Sequence, residues 1–258
     1  MYLSIDIGNT NITLGVFDKD SLIETFRLAS DKDLSQNEYE ILLKTLFKNY
    51  NINHCVIGSV VEELSNIIKN ACDRVFSLDS LLITPDIDSG MNIVLKNPKE
   101  IGADRIANAF VAKNKYKLPL IVVDIGTATT FDIVSKNGDF IGGVIMPGLN
   151  LQFKALNKNT SKLPQLQAGI SEKAIGNSTE DAMLSGIMRG SACAIEGLIH
   201  QCELELGEKA TIIATGGHSR LISEYMLRSF DYIDSSLTLE GFKLLYEKIR
   251  KPSCSLKI

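Results

Sequence analysis

The chain has 258 residues, 45% of them hydrophobic and 22% charged. That mixture excludes a disordered or collagen-like chain, and the length suffices for one large core or two smaller ones. Its 27 basic and 31 acidic residues leave a net charge of −4, which argues against nucleic acid or an anionic membrane as the main partner. Five scattered cysteines (Cys55, Cys72, Cys193, Cys202 and Cys254) contain no C-x-x-C, and three histidines are equally scattered. A disulfide framework or zinc site is not expected, and a reducing compartment is. The first residues read as a strand with an acid inside it rather than as a signal peptide. No apolar run approaches the ~20 residues that span a bilayer, so a cytoplasmic protein is expected.

In chain order, residues 2–7 predict a strand that ends in a turn of small polar residues, Asn9, Thr10 and Asn11. Ile12 to Phe17 predicts a second strand, Lys19-Asp20 a turn, and a third apolar run starts near Leu22. Residues 38–50 place Tyr39, Leu42, Leu43, Leu46, Phe47 and Tyr50 on one helical face. A strand over 54–61 and a helix carrying Leu64, Ile67, Ile68 and Ala71 follow. Residues 97–106 leave a loop and enter a helix around Asp104. The polar stretch 113–118, ending at Pro119, reads as a boundary.

The pattern then begins again. Residues 3–8 read Leu-Ser-Ile-Asp-Ile-Gly and residues 121–126 read Ile-Val-Val-Asp-Ile-Gly, with Asp6 falling on Asp124 and Gly8 on Gly126. Thr127-Ala128-Thr129, the run from Thr130 to Val134, the turn Asn137-Gly138 and a third run from Phe140 repeat the first meander. A helix is expected over 178–206, opened by Ser178-x-x-Asp181. A buried strand over 211–215 precedes Gly216-Gly217, and a last helix starts near Leu239. The expected fold is α/β, duplicated, with subdomains 1–116 and 117–258 facing each other.

The chemistry sits in the turns. Asp6-Ile7-Gly8-Asn9-Thr10-Asn11 offers backbone N–H groups, neutral donors and a carboxylate. Phosphate would repel Asp6 unless Mg²⁺ lay between them, so the set suggests a metal–phosphate site; the alternative is an ordinary Asn-rich turn. Asp124 through Thr129 is the mirror motif. Gly216-Gly217 would let the backbone pass close to a flat ligand, or is only a turn. Asp104 is either a general base, with Arg105 clamping an acidic group, or a carboxylate that complements a helix N-terminus. Thr179 is either part of a helix cap or a substrate contact. Ala182, Gly186, Gly190 and Ala194 form a small-residue stripe, suited to packing on this chain's own sheet or to a dimer contact.

Taken together, Asp6-x-Gly8-Asn9-Thr10, Gly102-Ala103-Asp104-Arg105, Asp124-x-Gly126-Thr127-Ala128, Gly142-Gly143-x-Ile145-x-Pro147-Gly148, Gly176-Asn177-x-Thr179 and Thr215-Gly216-Gly217 resemble the type III pantothenate kinases. The resemblance runs in order from residue 2 to Gly241. It implies the duplicated ribonuclease H-like, actin-like ATPase fold with a nucleotide cleft between subdomains. It also implies phosphorylation of pantothenate by ATP, the first step of coenzyme A biosynthesis. By the same resemblance, the ATP phosphates fall on Asp6, Ile7, Gly8, Asn9, Thr10, Asn11, Ile12 and Thr13, with Thr127 also on the nucleotide. Pantothenate contacts fall on Gly102, Ala103, Asp104, Arg105 and Thr179, Asp104 being the proton acceptor. Asp124 matches a monovalent cation site for K⁺ or NH₄⁺, and a homodimer is implied. Many relatives carry, seven residues before Gly102, a Tyr that touches pantothenate; here that position is Leu95. Other readings are a kinase of the same fold acting on a different alcohol, and a non-catalytic accessory factor in gene regulation. The presence of Asp6, Asp104 and Asp124 speaks for an enzyme.

Overall fold

The computed structural model describes residues 1–250. The described chain divides into two units, Met1–Asn114 with residues 236–250, and Lys115–Ser235. The first unit opens with β1 (Tyr2–Ile7), β2 (Asn11–Asp18), β3 (Ser21–Ala29), α1 (Gln36–Leu46), β4 (His54–Ser59), α2 (Glu62–Phe76) and β5 (Leu81–Ile83). A short 3-10 turn over Pro98–Glu100 and α3 (Ala103–Lys115) follow. The sheet order is β3-β2-β1-β4-β5, with β1 antiparallel to β2 and parallel to β4. Strand alternation puts Leu3, Ile5, Ile7, Ile12, Leu14, Cys55 and Ile57 on one face, where they form a core with α1 and α2. Ser35 starts α1: its Oγ accepts from Glu38 N–H at 3.4 Å, and the Glu38 carboxylate accepts from Ser35 N–H at 2.8 Å. The helix stops at Leu46, short of the expected Tyr50, because the Tyr50 N–H turns back to Phe47 O at 3.0 Å.

The second unit repeats the plan with β6 (Leu120–Ile125), β7 (Ala128–Val134), β8 (Phe140–Pro147), α4 (Leu149–Asn159), α5 (Thr179–Leu206), β9 (Thr211–Thr215), α6 (Ser219–Ser223) and β10 (Tyr232–Ile233). Its order β10-β9-β6-β7-β8 is that of the first sheet read from the other edge, with β6 antiparallel to β7 and parallel to β9. The duplication inferred from Asp6 and Asp124 is therefore present in the topology. One difference is local. Asp6 pairs with Thr13 but Asp124 with Thr130, so the first turn is one residue longer.

The long helix α5 opens at Ser178, whose Oγ accepts from Asp181 N–H at 3.1 Å, and closes at Gly207 with φ +75°. By length and composition it could cross a membrane, with mean hydropathy 1.2 over 18 residues. This corrects the expectation that no such run exists. Its apolar side chains Met183, Ile187, Met188, Ala192, Ile195 and Ile199 are spent on the core of this unit. Ala182, Gly186 and Gly190 are exposed, and a Cβ built on either glycine meets nothing within 4 Å. At these three positions the stripe therefore does not pack on this chain's own sheet, while Ala194 is half-buried.

The last helix, α7 (Leu237–Arg250), returns to the first unit. The uncovered face of that sheet carries Ser4, Gly15 and Gly58. A Cβ on Gly58 would lie inside the Phe242 ring, one on Gly15 would meet Leu239 Cδ1 at 2.8 Å, and Ser4 Oγ donates to Leu239 O at 2.8 Å. Small residues on three strands thus cut a seat for two large ones on the helix. The expected second subdomain, 117–258, is corrected accordingly: residues 236–250 pack with the first unit, and the part of that expectation beyond residue 250 lies outside the described residues.

Candidate active site

In the first unit, Asp6 lies near the end of β1, opposite Thr13 on β2 and Gly58 on β4. The turn after it is held from behind. Gly8 N–H donates to Asn11 O at 3.0 Å, Thr10 O accepts from Ser30 N–H at 3.1 Å, and the Ser30 hydroxyl donates to Gly8 O. Ser30 was not foreseen, since nothing near it in sequence marks it. Asn9 and Thr10 are exposed, whereas Ile7 and Ile12 point into the core at 0% and 1% exposure. Those two isoleucines can offer a ligand only their backbone. The hairpin thus presents a rigid loop of amides and short polar side chains beside one carboxylate.

The second cluster of this unit is at the start of α3. Ile106 N–H donates to Gly102 O at 3.2 Å, so Gly102 is the capping residue and Asp104 stands in the first turn. The Asp104 carboxylate folds back, with Oδ1 accepting from Arg105 N–H at 2.9 Å. A Cβ on Gly102 would collide with that oxygen, so any side chain there would displace the carboxylate. Burial raises the Asp104 carboxyl above the ordinary aspartate range, and the Arg105 N–H and guanidinium only partly oppose this. Of the two readings of Asp104, the carboxylate that complements a helix N-terminus is present in the structure: Gly102 occupies the cap, and Asp104, in the first turn, accepts from the Arg105 N–H. Ala103 is buried, and Leu95 is half-buried in the irregular segment after β5.

In the second unit, Asp124 lies opposite Thr130 on β7 and Thr215 on β9. Gly126 N–H donates to Ala128 O at 3.0 Å, and Gly148 N–H to Thr127 O at 3.1 Å. Gly216 adopts φ +87°, and a Cβ there would strike Asp124 Oδ1 and the Ile125 backbone. His218 N–H donates to Ile125 O at 3.2 Å, closing the glycine turn onto β6. The structure therefore brings Gly216 to Asp124, two residues proposed from separate motifs. Thr127 and Gly217 are exposed. Thr179 is exposed at the first turn of α5. Beside that turn lies a cavity of about 130 Å³ lined by Ser171, Glu172, Lys173, Gly176, Asn177 and Asp181, among others. Among the described residues no group of three or more His, Cys, Asp or Glu is placed to hold a metal ion by itself.

The family profile described as type III pantothenate kinase matches residues 2–201. A type III pantothenate kinase of Exiguobacterium sp. (strain ATCC BAA-1283 / AT1b) is 39% identical over 256 residues, covering 97% of this chain and 100% of that protein. Among solved structures, a Baf family transcriptional activator from Campylobacter jejuni superposes with a TM-score of 0.61 at 22% identity, covering 96% of this chain and 98% of that one. A ROK family glucokinase from Streptomyces griseus, in complex with glucose and AMPPNP, gives 0.52 at 13% identity, over 94% and 98%. The structural likenesses show a fold shared with these proteins, and the sequence matches establish the lineage: the chain belongs to the type III pantothenate kinase family.

Proposed function

We propose that this enzyme transfers the γ-phosphoryl group of ATP to the 4′-hydroxyl of pantothenate, the entry step to coenzyme A, with Asp104 as the general base. The observation that carries this is the Asp104 carboxylate at the start of α3, half-buried over Gly102 and beside Arg105, with burial raising it above the ordinary aspartate range. Phosphoryl transfer has a loose transition state, so alignment and charge stabilisation do most of the work and the base takes its proton late. The amides of the Asp6–Thr13 hairpin, with Asn9 and Thr10, hold phosphate oxygens, while Thr127 and the Gly216-Gly217 turn contact the nucleotide. Arg105 and Thr179 bind pantothenate with Gly102 and Ala103. Leu95 gives that substrate an apolar contact in place of a hydroxyl.

The donor sets fit their ions. Asp6 supplies the one carboxylate Mg²⁺ needs when phosphates complete its shell. Asp124, a single acid among backbone carbonyls and threonines, suits a loosely held K⁺ or NH₄⁺. Such cations neutralise charge on the phosphates when bound. The exposed Ala182–Gly186–Gly190 stripe favours a homodimer joined along α5, and a cytoplasmic location follows from the substrates. The test is ATP-dependent formation of 4′-phosphopantothenate, followed by mass spectrometry with K⁺, NH₄⁺ or Na⁺ as the sole monovalent cation. Turnover with K⁺ or NH₄⁺ and at least tenfold less with Na⁺ is expected. Equal rates in all three would remove the cation from Asp124, and no phosphorylated pantothenate in any would refute the activity.

A further inference from the structure

Val60 is the residue after β4, and the mechanism above leaves it without a task. Its N–H donates to Ile7 O at 3.0 Å, which carries the β1–β4 pairing up to the edge of the Gly8 turn. Its side chain is not in the core: Val60 is 42% exposed, while Ile57 and Val61 beside it are 0% and 2% exposed. The space that a Cβ on Gly102 would take is bounded by Val60 Cγ1 at 3.4 Å and by Asp104 Oδ1. An exposed branched hydrocarbon therefore stands between the hairpin turn and the carboxylate. Helix entry does not explain it. A hydrophobic residue preceding a helix cap can staple to the fourth helical position, but in α2 that position is Ser65.

The hydroxyl that yields its proton to Asp104 must come within about 2.6–3.2 Å of the carboxylate. The atoms attached to that hydroxyl then lie beside Val60. In pantothenate the reacting CH₂–OH is bonded to a quaternary carbon bearing two methyl groups, the most apolar part of the molecule. We infer that Val60 is the specificity residue for this gem-dimethyl carbon. Its isopropyl group, restricted at χ1 by β-branching, packs on the two methyls, turns the hydroxyl toward Asp104 and disfavours alcohols that lack them. This inference rests on the pantothenate reading given above.

Steady-state kinetics on wild type, Val60→Ala and the isosteric Val60→Thr test it, using pantothenate and the analogue without both methyls. Wild type should favour pantothenate in kcat/KM by roughly 10–200-fold, the range one or two methyl groups in an apolar pocket provide. Val60→Ala should cut that preference about tenfold through the methylated substrate, mainly in KM, with Val60→Thr in between. The KM for ATP and the melting temperature should stay at wild-type values. An unchanged preference in both variants, or an equal loss on both substrates, would overturn the assignment of Val60. A wild type that does not phosphorylate pantothenate would instead overturn the activity itself, a separate result of the same assay.

Discussion

Asp104→Asn is expected to lower kcat by roughly 10²–10⁴ while raising the melting temperature at neutral pH. The amide oxygen can still accept from Arg105 N–H, now 2.9 Å from Oδ1, so the local geometry survives. What is lost is the ability to take a proton, about 3–5 kcal/mol of transition-state stabilisation. The stability effect follows from linkage. A carboxyl whose folded pKa is raised binds its proton more tightly in the native state, so its charged form opposes folding above that pKa. Replacing it with a neutral isostere removes the opposition. The same raised value predicts that kcat/KM of the wild type falls as pH drops through it. ATP binding should persist in the variant. Turnover within a few-fold of wild type would end the general-base assignment, and a melting temperature that falls would show instead that the charged carboxylate stabilises the start of α3.

Glu203→Gln should cost about 3 kcal/mol at pH 7, and the cost should vanish in acid. Glu203 is on α5, only 4% exposed, with both oxygens engaged. Arg228 Nη1 and Nη2 donate at 2.8 Å each, Lys209 Nζ at 2.7 Å and Ala210 N–H at 3.2 Å. Burial pushes this carboxyl up, but the four donors outweigh it and hold it at about 2. With the folded value depressed below the ordinary glutamate range, the stabilisation is complete above that range and is lost as pH falls toward 2. Each unit of depression is worth about 1.4 kcal/mol, and Arg228, itself 41% exposed, can return to water in the variant, which keeps the cost moderate. Urea unfolding at pH 7 and at pH 3 measures the gap. A gap that does not narrow at the lower pH would show that packing, not charge, is what Glu203 contributes.

Much of the architecture was legible because it is written twice in short-range terms. Asp-x-Gly after an apolar strand, followed by small polar residues and a second strand, is local chemistry, and both sheets grow from it. The capping residues Ser35 and Ser178 were equally local, although only the second was noticed. What escaped depends on residues far apart in sequence. Gly15 and Gly58 look like weak strand positions until Leu239 and Phe242 are seen to fill them, so the return of α7 could not be read from either segment alone. The same holds for Ser30 behind the Gly8 turn and for Val60 beside Asp104. The helix α4 was missed because it follows Gly148 with no side-chain cap, and its asparagines mask the period. The partial burial of Asp104 was also hidden, since an acid in a first helical turn ordinarily faces water.

The seating of α7 on the first sheet bears on how the protein is made. Ser4 and Leu239 are hydrogen-bonded across 235 residues, so the N-terminal sheet cannot cover its second face until synthesis is almost finished. The segment Lys115–Ser235 is continuous in sequence and needs no later residue for its own sheet. On the ribosome, the part synthesised second should therefore become protease-resistant first, while residues 1–114 wait, with one sheet face bare, for the final helix. Limited proteolysis of nascent chains stalled just after residue 235 has emerged would reveal this order. Early protection of residues 1–114 would show instead that the sheet can close without its last helix.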